Sequence, residues 1–131
     1  MNEFAKTAYW LDCADYDLQT AKAMLQTKRF LYVGFMCHQT IEKGLKAVFV
    51  HREPDGELPY IHSLVRLANL SKISAEMCED QLSLLDVLSP LNVEARYPLN
   101  KEKLLRSLTE SRCEDLIRKT EELLSWIKTK C

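Results

Sequence analysis

Apolar residues return at alternating three- and four-residue steps over most of the chain, the spacing that keeps one face of a helix dry. Leu11, Ala14, Leu18, Ala21 and Leu25 follow this rhythm, and it predicts a first helix over about Glu3 to Gln26. The stretch "TKRF" is then a tight connection to an antiparallel neighbour. Phe30, Gly34, Cys37, Ile41, Leu45 and Val48 continue the rhythm, predicting a second helix from about Phe30 to His51 with that face in the core.

"REPDGELPY" breaks the pattern with Pro54, Asp55, Gly56 and Pro59, a composition that favours an exposed loop. A short helix is expected over His62 to Leu70, with Leu64, Leu67 and Leu70 on one side. Ser74 is a candidate N-cap for a helix through "AEMCEDQLSLLDVLS", because its hydroxyl can accept from a first-turn amide. Pro90 should interrupt that helix, since proline removes a donor and clashes with the preceding turn. "LNVEARYPLN" reads as a turn or short helix between Pro90 and Pro98, and the last long helix as Thr109 to about Lys128, with Leu116, Leu123 and Ile127 facing inward. The pattern predicts an all-α chain of a few long helices rather than strands, and its length suits one domain over residues 1–131.

Composition narrows the classes. The five cysteines are odd in number and widely spaced with no CxxC pair, as expected of reduced thiols in a cytoplasmic protein rather than a disulfide framework. Charged residues interrupt every apolar run well short of a membrane span, and no signal-peptide pattern is present near the start. With 18 Lys plus Arg against 19 Asp plus Glu, no global basic field favours nucleic acid, so any RNA contact must come from a local patch.

On the second helix, Tyr32, Phe35, Gln39, Glu42, Lys43 and Lys46 share a stripe opposite Ile41 and Val48. Periodicity alone makes it a solvated face, with Glu42 and Lys46 an i,i+4 ion pair. The two aromatic residues among the charges suit an interface or a groove wall instead. His38 and Glu42 are too few ligands for a metal site, and no metal or other cofactor is expected. His51, beside Arg52, is expected in solvent. His62 either helps to begin the short helix or belongs to a site. Arg96 offers a forked, permanently charged group suited to phosphate, or an ion pair with Glu94 or with an acid on a neighbouring helix. Cys37 falls on the core face, away from His38, which argues against a cysteine–histidine nucleophile. GxSxG, glycine-rich phosphate loops and HExxH are all absent.

Four segments then form a pattern: Trp10, Ala14, Asp17, Leu18 and Ala21; "CHQTIEKGLKA" from Cys37 to Ala47; "HSLVRL" from His62 to Leu67; and "ARYP" from Ala95 to Pro98. In this order and spacing they resemble the HEPN domain, the higher eukaryotes and prokaryotes nucleotide-binding family, over nearly the whole chain. The resemblance implies an all-α, up-and-down antiparallel bundle of four main helices plus a short extra helix, often a homodimer, frequently paired with a minimal nucleotidyltransferase in toxin–antitoxin fashion. Another branch of the family consists of metal-independent ribonucleases with Arg and His separated by four to six residues. Here the positions that would carry that His after Arg96 hold Lys101, Glu102 and Lys103.

The expected function is therefore a binding subunit for a nucleotide or nucleic-acid phosphate, or a docking partner of a nucleotidyltransferase. Its ligand-binding residues are expected to be Gln39, Glu42, Lys43, Lys46, His62, Arg96 and Tyr97. A ribonuclease using Arg96 with His62 or His38, and a dimer with no ligand, are the alternatives.

Overall fold

The computed structural model describes residues 2–94 and 98–131. Among the described residues six α-helices follow in order: α1 Glu3–Gln26, α2 Phe30–Arg52, α3 Leu64–Leu70, α4 Glu79–Glu94, α5 Pro98–Ser107 and α6 Glu110–Lys128; a 3₁₀ turn over Ile73–Glu76 separates α3 from α4. No strand occurs among the described residues. No helix among them is long and apolar enough to cross a membrane. The all-α bundle is as expected, with α1, α2, α4 and α6 as its long members.

Helix directions follow from pairs of side chains. Asp17 meets Lys43 and Glu3 lies near His51, so α1 and α2 run antiparallel. Lys22–Glu121 and Asp15–Lys128 make α1 and α6 antiparallel as well. The α1–α2 turn is closed by the Arg29 amide donating to the Met24 carbonyl at 2.7 Å, with Lys28 in the left-handed region at φ 60°.

α2 is the central helix and packs against α1, α3, α4, α5 and α6. Its buried residues surround it, from Leu31 and Val33 through Cys37, Ile41 and Leu45 to Val50. Two glycines permit this enclosure. A Cβ on Gly44 would lie 3.2 Å from Leu124 and 3.4 Å from Ile127 of α6, and one on Gly34 would lie 3.1 Å from Leu91 of α4. α6 instead shows a single dry stripe, Cys113, Leu116, Ile117, Thr120, Leu123, Leu124 and Ile127.

The short helix begins two residues later than expected, because Ser63 is its N-cap and its hydroxyl accepts from the Arg66 amide at 3.2 Å. Ser74 does not cap α4; it lies inside the 3₁₀ turn. The Gln81 side chain reaches back to the Cys78 amide at 2.9 Å, satisfying an orphan donor at the start of α4. Pro90 does not interrupt α4, which runs on to Glu94. Both Pro90 and Asp86, whose carbonyl loses its helical donor, lie on the exposed side, where water can replace the missing bond. α5 is a helix that the apolar rhythm alone does not predict. Arg96 and Tyr97 lie outside the described residues.

Candidate functional site

The polar stripe of α2 is not a solvated face, because α1 and α4 cover its flanks. At its centre stands Glu42, with a side chain only 3% exposed. A buried carboxylate needs compensating donors. Lys46 Nζ supplies one at 3.1 Å from Oε2, one helical turn along α2. His62 supplies the other from the connection before α3, with Nδ1 at 3.2 Å from both Oε1 and Oε2. An ionised carboxylate only accepts, so the imidazole donates through Nδ1–H and its Nε2 is left free. His62 remains 59% exposed, so that free nitrogen belongs to an accessible ring.

Aromatic rings continue the arrangement on both sides. Tyr60, almost fully exposed, meets the His62 ring edge-on with centroids 6.2 Å apart. Lys46 Nζ stands 5.3 Å from the Trp10 ring centroid, and Tyr9 packs edge-on against Trp10 at 5.4 Å. An unbroken chain of contacts thus runs Tyr60–His62–Glu42–Lys46–Trp10–Tyr9, joining α1, α2 and the loop before α3.

Of the expected ligand residues, the structure brings Glu42, Lys46 and His62 together. Lys43 is turned to α1, where it pairs with Asp17 at 2.5 Å, and Gln39 is turned to α4, where its amide donates to Asn92 Oδ1 at 2.9 Å. Both are already partnered and hold α2 to its neighbours. Arg96 and Tyr97, the other two expected ligand residues, lie outside the described residues. Trp10 and Tyr60 join the site without having been expected there. Only the placement of Trp10 four residues before Ala14 on the dry side of α1 hints that it faces α2.

His38 lies beneath the cluster, fully buried, with Nδ1 lacking a hydrogen-bond partner among the described residues and 3.9 Å from Glu42 Oε1. Burial pushes its pKa down from 6.5 to about 4; Glu42 opposes the shift, and the charges of His62 and Lys46 add to it. The ring is therefore neutral at pH 7. Among the described residues no group of three His, Cys, Asp or Glu side chains could hold a metal ion. Cysteine chemistry is equally disfavoured: burial pushes the Cys37 thiol up to about 12 and the Cys113 thiol to about 11, far from a reactive thiolate. His51, expected in solvent, is half-buried with Nδ1 3.9 Å from Glu3.

The HEPN domain family model matches residues 7–130. The chain belongs to the HEPN family. The crystal structure of TT1696 from Thermus thermophilus is similar to it with a TM-score of 0.81 at 21% identity, each chain covered over its full length, which establishes a shared fold. A search of curated proteins finds no match.

For this HEPN domain, three of the four sequence segments that carry the resemblance are contact partners; residues 95–97 of the fourth lie outside the described residues. Trp10 of the first segment meets Lys46 of the second, Asp17 meets Lys43, and Glu42 meets His62 of the third. Ser63, next to His62, is the α3 cap. The recurring residues thus build the junction of α1, α2 and the loop before α3.

Proposed function

We propose that this HEPN domain is a binding subunit that takes the phosphate of a nucleotide or of RNA at the surface centred on His62. The observation that carries the reading is an accessible imidazole fixed through Nδ1 by a buried glutamate. Such a ring presents Nε2 in one orientation, where it accepts a proton from an acidic phosphate or, once charged, donates to phosphate oxygen. Lys46 adds positive charge close by, and Tyr60 offers a face on which a base can stack. Arg96 and Tyr97 remain part of the proposed site on the chemistry of their side chains. Gln39 and Lys43 hold the helix that carries it.

A second reading, docking of a protein such as a minimal nucleotidyltransferase, draws on the exposed rings of Tyr9 and Tyr60, since aromatic residues are enriched in interfaces. A homodimer is compatible with either reading. The test is titration of adenosine 5′-monophosphate and of a short single-stranded RNA, monitored by NMR. Saturable shifts of the His62 and Tyr60 ring signals are expected, with affinity roughly tenfold weaker in His62→Ala, the loss of about one charge-assisted hydrogen bond. Unchanged affinity in that variant would refute the site. RNA cleaved by the wild type and left intact by His62→Ala would turn the reading to a ribonuclease.

A further inference from the structure

The first turns of α1, the end of α2 and the loop after it line a cavity of about 510 Å³ whose wall includes Tyr9 and Trp10 but not His62. Its charge is opposite to what a phosphate needs. Glu3, Glu53 and Asp55 line it against a single cation, Lys6, and two aromatic residues, Tyr9 and Trp10, form its wall. Several acids elsewhere are held in ion pairs: Asp17 by Lys43, Glu76 by Arg52 and Lys130, Asp115 by Arg118 and Lys119. Here Glu53 and Asp55 carry no ion pair among the described residues, and Glu3 has only His51 at 3.9 Å.

We infer that this cavity docks a basic polypeptide segment of a partner protein through an arginine side chain. Guanidinium is planar, stacks on aromatic faces and forks onto carboxylates, so a wall of two rings beside three carboxylates matches all of its surfaces. Nucleic acid is disfavoured by the surplus negative charge. The cavity opens outward beside Tyr9, which is 51% exposed and gives apolar contact for residues flanking the arginine. A small amine would leave that ring and most of the volume uncovered. Apolar floor is supplied by Val50 and Leu58.

The probe is an acetylated, amidated Arg-Gly-Arg peptide, followed through the Trp10 indole N–H and the Gly56 amide by NMR, with the Glu-Gly-Glu peptide as control. Saturable shifts are expected with the first peptide and none with the second. The double variant Glu53→Gln, Asp55→Asn should bind roughly tenfold more weakly, the sum of two exposed charge contacts. His62→Ala should bind the arginine peptide as the wild type does, so this result and the nucleotide titration can fail separately. Equal affinity in the double variant, or equal shifts with the glutamate peptide, would overturn the inference. Neither substituted side chain holds a structural bond among the described residues, and an unchanged amide spectrum will show that the fold is intact.

Discussion

At the scale of single residues, two buried groups on one face of α2 behave oppositely. Glu42 is met by Lys46 and by the Nδ1–H of His62, whereas His38 stays neutral because burial disfavours its charged form and its nearest acid lies 3.9 Å away. Neutral His38 has a pH signature. Its folded-state pKa, about 4, lies below its ordinary 6.5, so between those values the unfolded chain binds more protons. Stability contributed by this residue should be complete above about pH 6.5 and disappear as pH falls towards 4, by on the order of 3 kcal/mol. Urea unfolding across that range should show a shallower pH dependence in His38→Leu than in the wild type; parallel curves would contradict the assignment. Glu42→Gln should lower stability by about 1–3 kcal/mol in the same assay, because the negative charge is lost and an NH2 group replaces one of the two oxygens that Lys46 and His62 share. The residue pattern shows that His38, Glu42 and Lys46 neighbour one another, but periodicity counts the stripe of Glu42 and Lys46 as wet. Nothing in a one-dimensional pattern reveals that charges on one turn are answered by a histidine twenty residues further along.

At the scale of elements, the long helices are legible because their apolar steps are regular and their caps are chemically explicit. Thr109 accepts from the Arg112 amide at 3.2 Å and starts α6 where the hydroxyl predicts. Thr109→Ala should cost about 1 kcal/mol, read from a thermal melt. Ser74 misleads because a serine caps only if the chain turns helical right after it, and here a 3₁₀ turn and residues 77–78 intervene. Pro90 misleads because a proline whose orphaned carbonyl faces solvent can remain within a helix. α5 is legible in principle: Pro98 occupies the first helical position, where its missing N–H costs nothing, and buried Leu104 and Leu108 are four residues apart. The glycines of α2 carry the tightest packing. Gly44→Leu would drive a branched side chain into Leu124 and Ile127, and a loss of about 1–3 kcal/mol is expected in chemical denaturation.

At the scale of the whole molecule, one helix is enclosed by five others, so its polar residues can only be internal bolts or the floor of a surface site. Lys43 and Gln39 are bolts, joining α2 to α1 and α4. Glu42 is a floor, because the histidine it holds is exposed. The family resemblance anticipates which residues gather and leaves open which of them face a ligand, since pairing partners and ligand contacts recur in a sequence alike.

The most direct test of this account is the imidazole ¹⁵N spectrum of His62 at a pH where the ring is neutral. A ring held by Glu42 must carry its proton on Nδ1, with an unprotonated Nε2 whose signal moves when adenosine 5′-monophosphate is added. A proton found on Nε2, as free histidine prefers, with no response to the nucleotide, would contradict it.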